Sequence, residues 1–327
     1  MDSLISFIIP VLDEEEAIPH FLRAVDLAFA GTGQRLELLF VDDGSTDGTL
    51  TLLAGLAAAD PRIRVLSFSR NFGKEAALTA GLAHARGDAA VPVDVDLQDP
   101  LELVPRFVEQ WRLGYDVVYG VRADRRSDNP LKRHSARLFY RFFNLLSDTR
   151  LPQDTGDFRL LDRRVVAALA QLPERERFMK GLFAWIGFRA IGLPFERPAR
   201  VAGRTKWRPW KLWNFALQGV TSFSTVPLRV WTYVGAVIAL FAFLYAAFIV
   251  LRTLVLGIDL PGYPSLMAVV LFLSGVQILS LGIIGEYLGR LFKEAKQRPL
   301  YIIAEEYPPP AVPDAPRLAA GVPQPWT

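Results

Sequence analysis

The sequence predicts an α/β domain on a mostly parallel sheet, followed by a C-terminal third built for a membrane. Three observations predict this. Between residues 5 and 122, short apolar runs of strand length alternate with segments of helical periodicity. The strands end, one after another, in polar clusters: Asp13/Glu14, Asp42/Asp43, Asp94/Asp96 and Arg122. Two long uncharged apolar stretches lie near the C-terminus.

The elements follow in order. Ile5 to Val11 reads as a strand, and Ala17 to Ala30 as a helix with Phe21, Leu22, Val25 and Phe29 on one face. Leu36 to Val41 is a second buried strand, running into the turn-rich Asp42-Asp43-Gly44-Ser45-Thr46-Asp47-Gly48-Thr49 and a helix from Leu50 to Ala59. Ile63 to Ser67 is a third strand, followed by Arg70-Asn71-Phe72-Gly73-Lys74 and the helix Glu75 to Ala85. Ala89 to Val93 is a fourth, Leu101 to Trp111 a helix, and Val117 to Gly120 a fifth strand. Near-continuous apolar strands are buried on both faces, as in parallel sheets, and such sheets bind ligands at the strands' carboxyl ends. Several polar clusters on one edge therefore point to an active site there.

The fourth strand carries the sharpest signal. Asp94 and Asp96 project to one side, because side chains alternate along an extended chain. Two carboxylates on one side repel unless a cation lies between them. Oxygen ligands suit a hard ion such as Mg2+ or Mn2+. Asp-x-Asp alone reads more readily as a polar turn after a strand; the neighbouring acidic strand ends favour the metal.

Composition narrows the classes. The 327 residues carry a net charge of +3, with no cysteine and three scattered histidines, His20, His84 and His134. Disulfides and thiolate chemistry are excluded, and the wide separation of the histidines speaks against a histidine zinc site. The start does not read as a signal peptide, since its apolar run meets Asp13-Glu14-Glu15-Glu16 at once. Trp231 to Leu251 is apolar for about 21 residues, roughly 31 Å as a helix, enough to cross a bilayer core. Tyr263 to Gly285 is a second such run. The two read as a transmembrane hairpin. Arg200, Arg204, Lys206, Arg208, Lys211 and Arg229 flank it on one side, and Arg290, Lys293, Lys296 and Arg298 on the other. The positive-inside bias places the catalytic domain and both termini in the cytoplasm of an inner-membrane protein.

Between the two parts, Arg122, Arg125, Arg126, Lys132, Arg133, Arg137 and Arg141 form a basic segment, with a helix over 130–147. It reads as an anion site at a strand end, a solvated helix face or a lipid-surface contact. No recognition motif accompanies it, so nucleic acid is not expected. Asp154 to Leu160 reads as an acidic turn entering a short apolar run. Helices are expected over Arg163 to Leu172 and Arg177 to Phe188, and Arg189 to Arg197 reads as a strand. Gly203-Arg204-Thr205-Lys206 is a basic loop. Trp207, Trp210, Trp213 and Phe215 beside Lys211 read as an interfacial helix. Ser274, Gln277, Ser280, Gly282 and Gly285 suit helix packing within a hairpin or a homo-oligomer. The expected units are a catalytic domain over 1–200, a basic loop and interfacial helix over 201–228, a hairpin over 229–290, and a tail over 291–327 that is Pro-rich and disordered from Tyr307.

Taken together, Val11-Leu12-Asp13-Glu14-Glu15, Val41-Asp42-Asp43-Gly44-Ser45, Arg70-Asn71-Phe72-Gly73-Lys74, Asp94-Val95-Asp96-Leu97-Gln98-Asp99-Pro100 and Gly156-Asp157-Phe158-Arg159-Leu160 resemble family 2 inverting glycosyltransferases with the GT-A fold. Gly203 to Lys206, Thr221-Ser222-Phe223-Ser224 and the hairpin narrow the resemblance to polyprenyl-phosphate glycosyltransferases, the group of bactoprenol glucosyltransferases and dolichol-phosphate mannose synthases. It runs from about residue 4 to 298. Two positions depart: the family's usual Asn-Glu is Asp13-Glu14 here, and its frequent Asp-Ala-Asp is Asp94-Val95-Asp96.

The resemblance implies transfer of a sugar from a nucleotide-sugar donor to a polyprenyl phosphate acceptor at the membrane, with UDP-glucose the first donor and GDP-mannose or a UDP-amino-arabinose derivative the alternatives. It implies Pro10, Leu12, Glu14, Asp42, Asp43, Asp94 and Lys206 at the nucleotide-sugar, and Asp94, Asp96 and Gln98 on a divalent metal, Mg2+ or Mn2+. It implies Arg122, Arg133, Arg137 and Lys206 at the acceptor phosphate, and Asp157, Asp96 and Arg122 at the reaction centre. Processive polysaccharide synthases share the fold but carry a Gln-x-x-Arg-Trp signature and more spans, neither of which this sequence has. A non-catalytic membrane scaffold is the rival of a different class, and the intact acidic positions speak against it.

Overall fold

A computed structural model describes residues 3–122, 155–175, 177–195, 224, 226–256 and 262–308. Eight strands form one sheet in the order β7-β5-β6-β4-β1-β2-β3-β8. They are β1 Leu4–Val11, β2 Arg35–Asp42, β3 Ile63–Phe68, β4 Ala89–Pro92, β5 Val117–Arg122, β6 Thr155–Asp162, β7 Ala190–Phe195 and β8 Ile303–Tyr307. The helices are α1 Ile18–Phe29, α2 Thr49–Ala59, α3 Lys74–His84, α4 Val104–Arg112, α5 Arg163–Ala170, α6 Met179–Trp185, α7 Val226–Leu256 and α8 Tyr263–Ala295. The five expected strands and the helices between them form, with most ends shifted by a residue or two; the segment expected as a helix from Leu101 opens on a 3-10 turn over Leu101–Leu103, and α4 begins at Val104.

The central strands β4, β1, β2 and β3 are parallel. Their side chains alternate between two apolar layers. Ile5, Phe7 and Ile9 of β1 join Phe21, Phe40 and Phe107 on the side of α1, α2 and α4. Ile8, Leu39 and Leu66 join Ala77, Val165 and Leu182 on the side of α3, α5 and α6. This is a GT-A-like α/β arrangement, and it brings the ends of β1, β2, β3 and β4 to one edge.

Two strands were not expected. The segment read as an acidic turn at 154–157 is the start of β6 from Thr155 on. β6 runs antiparallel to both β4 and β5. It pairs Ala89 with Asp162 and Ala90 with Leu161, so each residue forward on β4 is one back on β6. Continued beyond the ladder, that register sets Asp157 opposite Asp94. Because β6 is reversed, its beginning, with Asp157, lies at the carboxyl edge of the parallel strands. Arg159 sits in this strand with its guanidinium over the Phe183 ring, 4.1 Å from the centroid.

The second is β8. The tail expected to lose order from Tyr307 forms an antiparallel strand on β3 through Tyr307, with Val65 opposite Tyr307 and Phe68 opposite Ile303. Tyr301 stacks on Phe68 at 5.2 Å. Arg64 is buried beneath, bonded to Glu37 at 2.7 Å and Glu306 at 2.8 Å. The strand, Ile303-Ala304-Glu305-Glu306-Tyr307, is held through Glu306 by one buried arginine, and five residues were too few to stand out just ahead of a Pro-rich tail.

The long helices α7 and α8 are 31 and 33 residues. Among the described residues, one stretch, Phe272–Ala295, is long and apolar enough to cross a membrane, while Tyr233–Tyr245 is a shorter apolar stretch. Tyr287 donates to the Ser224 carbonyl at 2.7 Å, tying α8 to the chain two residues ahead of α7. The helix over 130–147, the domain boundary at 200, the 203–206 loop, the interfacial helix over 207–222 and the tail beyond Pro308 lie outside the described residues.

Candidate active site

The site forms at the carboxyl edge of β1, β2 and β4 and the amino end of β6. Three loops define it, and each is fixed by local hydrogen bonds.

The first loop follows β1. Pro10 pairs opposite Val41, with Pro10, Leu12 and Glu14 half-buried. Asp13 has φ 52° and accepts from the Thr46 backbone at 2.8 Å, and the Glu14 N–H donates to Thr49 Oγ1 at 2.9 Å. Asp or Asn tolerates this left-handed backbone better than most residues. The departure from Asn to Asp at residue 13 thus keeps both the conformation and an acceptor.

The second loop follows β2. Asp42 is buried and accepts from Ser67 Oγ at 3.0 Å and the Ser45 N–H at 3.2 Å. Asp43, also buried, accepts from the N–H groups of Phe72 at 2.6 Å and Gly73 at 2.9 Å. Burial pushes the Asp43 carboxyl up, partly offset by those two N–H groups. The expectation that Asp42 and Asp43 line a nucleoside pocket is thus joined by another duty: Asp43 clamps the loop after β3. Gly44, at φ 74°, makes that clamp close enough, since a Cβ there would lie 2.7 Å from the Arg70 carbonyl carbon.

The third loop follows β4. Asp94 and Asp96 are both part-exposed, and Asp96 Oδ1 accepts from the Gln98 N–H at 3.1 Å across a turn in which Leu97 has φ 57°. Arg122, at the end of β5, lies alongside Gly156, where a Cβ would be 4.0 Å from its Nη2. That places it one residue from Asp157.

The residue that joins these parts is Lys74. Its Nζ lies 2.6 and 2.9 Å from the two oxygens of Asp94 and 3.2 Å from Asp157 Oδ2. Partial loss of hydration works against the part-exposed Lys74 ammonium, but Asp94 and Asp157 more than offset it and hold its pKa up. Burial would likewise raise the Asp157 carboxyl; Lys74, Lys180 and Arg159 reverse this and hold it at about 2. The Asp157 Oδ1 atom is buried and makes no hydrogen bond among the described residues. Next to Lys74, Glu75 accepts from the Met179 N–H at 3.1 Å. Burial, and then the Asp157 charge, push its carboxyl up to about 7.

The structure therefore brings together Asp94, Asp157 and Arg122, with Asp96 and Gln98 on the adjoining turn. Arg133, Arg137 and Lys206 lie outside the described residues. Lys74, Glu75, Arg159 and Lys180 were not expected. Lys74 stood in a motif but was given no part, because its partners come from strands 20 and 83 residues on. Glu75 looked like an ordinary first-turn helix residue.

Metal fit can be judged from the donor set. Among the described residues, no three His, Asp or Glu side chains gather to hold an ion. Asp94 and Asp96 offer carboxylate oxygens two residues apart. One or two carboxylates is the number by which magnesium-type ions are held where substrate phosphates supply the other oxygens. The donor set fits a metal shared with a diphosphate and does not fit an all-protein cage.

The site is thus a parallel sheet edge with paired carboxylates, closed by a reversed strand bearing a third. The glycosyl transferase family 2 model matches residues 6–169, and the GtrB C-terminal hairpin model matches residues 226–291. The chain belongs to glycosyl transferase family 2 and is a glycosyltransferase. The bactoprenol glucosyl transferase of Shigella phage SfV is 49% identical over 302 residues, covering 92% of this chain and 98% of that protein. An uncharacterized glycosyltransferase of Synechocystis sp. is 48% identical over 301 residues, covering 92% and 95%. Among solved structures, glucosyl-3-phosphoglycerate synthase from Mycobacterium tuberculosis, in complex with Mn2+, UDP-glucose and phosphoglyceric acid, overlaps 67% of this chain and 78% of that one, with 21% identity and a TM-score of 0.45.

Proposed function

We propose that this chain transfers glucose, with inversion, from UDP-glucose to a polyprenyl phosphate at the cytoplasmic face of a membrane. The observation that carries the reading is the span of the likeness to a bactoprenol glucosyl transferase, 98% of that protein's length with the hairpin region included. The product would be a polyprenyl-phosphate glucose for cell-envelope glycosylation.

Asp94, Asp96 and Gln98 would hold a divalent ion, Mg2+ or Mn2+, on the donor diphosphate. When bound, it supplies Lewis-acid stabilisation to the departing nucleoside diphosphate. Pro10, Leu12, Glu14, Asp42 and Asp43 would contact the nucleoside, and Lys206 the donor phosphates. Arg122, Arg133, Arg137 and Lys206 would meet the acceptor phosphate; a guanidinium suits that task because it grips two phosphate oxygens at once.

Asp157 would face the anomeric carbon as it gains positive charge in an oxocarbenium-like state. A phosphate monoester has its second pKa near 6, so the acceptor is already an anionic nucleophile at neutral pH. A carboxylate held at about 2 is a poor proton acceptor there. Both facts favour an Asp157 that stabilises and positions over one that removes a proton.

The acceptor's phosphate cannot leave the headgroup region, so the catalytic edge must be brought to it. Helices α7 and α8 would cross as a two-span hairpin with both termini cytoplasmic, and their small and polar positions would pack a homo-oligomer.

The test uses full-length protein in detergent with undecaprenyl phosphate, Mg2+ and radiolabelled UDP-glucose. Label in the organic phase that disappears with EDTA or in Asp96→Asn supports the reading. Label only from GDP-mannose or a UDP-amino-arabinose derivative changes the sugar. No transfer from any donor overturns the reading.

A further inference from the structure

We propose that Lys74 is a positioning residue that competes with the divalent ion for Asp94, and that arrival of the metal moves its ammonium from Asp94 to the donor diphosphate while it keeps Asp157 in place. The inference rests on the reading of Asp94 as a metal ligand.

The geometry that points to it is the double contact. Lys74 Nζ bonds both oxygens of Asp94, at 2.6 and 2.9 Å, so the carboxylate faces the ammonium with all of its charge. An ion of charge +2 bound to that carboxylate would repel a +1 group already on it. The pair can exchange partners: the Lys74 and Asp94 side chains are 40% and 39% exposed. Lysine is a compact charge on a flexible stem, able to swing a few ångströms without moving its backbone. The backbone itself is held, since Asp43 binds the N–H groups of Phe72 and Gly73 just before it. The second contact, 3.2 Å to Asp157 Oδ2, comes from a different strand and need not break when the first does. A donor diphosphate held through a metal would be an anion near Asp94, and so a partner for the displaced ammonium.

The consequence is a coupling. The protein alone would bind metal weakly, because Lys74 holds the site. A metal–nucleotide complex would bind well, because it brings an anion for the displaced ammonium.

Titration with Mn2+, followed by the electron paramagnetic resonance of the free ion, tests this on full-length protein in detergent without and with UDP. Lys74→Met should bind Mn2+ alone about fivefold more tightly than wild type, the fold-change expected on removing a part-exposed ion pair, and should gain less from added UDP. Lys74→Arg, which keeps the cation, should stay near the wild-type affinity. Structural damage would weaken Mn2+ binding, so tightening cannot come from misfolding. Lys74→Met affinity equal to or weaker than wild type, or tightening in Lys74→Arg as well, overturns the proposal. Asp94→Asn separates the underlying reading: Mn2+ binding there as in wild type removes Asp94 as a ligand and overturns both.

Discussion

Glu75 and Met179 stand 104 residues apart, yet the Met179 N–H at the start of α6 donates to Glu75 Oε2 at 3.1 Å. The bond links the helix that begins with Lys74 to the helix that carries Lys180, and both lysines act on Asp157. The carboxyl that makes this link sits in an environment that disfavours its charge.

That environment fixes a pH dependence. The groups facing Glu75 are Asp157, which disfavours its charge, and Lys74 and Lys180, which favour it; the net result lifts it from an ordinary 4.5 to about 7. Between those values the unfolded chain has released a proton that the folded protein keeps, so stability falls as pH rises from about 4.5 to about 7, by at most ~3 kcal/mol. Glu75→Gln keeps an acceptor for Met179 and removes the ionisation. Thermal melting from pH 5 to 8 should show the wild-type decline flattened in this variant, which should be the more stable at pH 8. Parallel curves would refute the assignment.

Asp157→Asn should lower glucosyl transfer by about 10²-fold or more, the scale of losing one group matched to transition-state charge. The loss should be the same from pH 6 to 9. Recovery confined to high pH would make Asp157 a base.

Asp43→Ala should loosen the loop that carries Lys74. Two backbone N–H groups lose a charged acceptor, which costs about 2 kcal/mol or more. A drop in melting temperature together with weaker UDP binding is expected. Gly44→Ala should do similar harm by another route, forcing a Cβ against the Arg70 backbone at a positive φ.

Arg64→Leu should destabilise the protein by roughly 3 kcal/mol, because Glu37 and Glu306 are then left facing each other without their cation. Adding Glu37→Leu should return part of the loss. Chemical denaturation of the three proteins in detergent would measure both effects, and additive losses would show that the pair is not coupled.

The parallel half of the sheet was legible because its strands are uninterrupted apolar runs bounded by polar turns. The carboxylates of the site were legible for the same reason: Asp42, Asp94 and Asp96 stand where such runs stop. Asp157 was recognised only through a motif, and its strand was missed. β6 begins with Thr-Gly-Asp, and its charged residues break the pattern at the end that faces the site. Lys74 was invisible as a partner of Asp94 because the contact depends on Asp43 bending the intervening loop, a long-range hydrogen bond that periodicity does not encode. β8 was missed because its stabilisation lies in Arg64 on another strand, not in its own five residues.

The placement of β8 alters what a separable catalytic fragment would be. Cutting the chain before α7, the natural way to free the α/β domain from its hairpin, would also discard the strand that covers β3. The fragment would expose a row of unpaired backbone groups beside Phe68, and Arg64 would keep only one of its two carboxylates. Bare edges of that kind recruit other chains. A soluble version should instead carry residues 300–308 back to the domain through a linker long enough to cross the sheet, because β7, which ends at Phe195, and β8 lie at its opposite edges, seven strand spacings of about 4.8 Å apart. In this protein the edge strand β8 of the α/β domain would be made last, after both long helices, and the sheet would be complete only when the chain beyond them has been made.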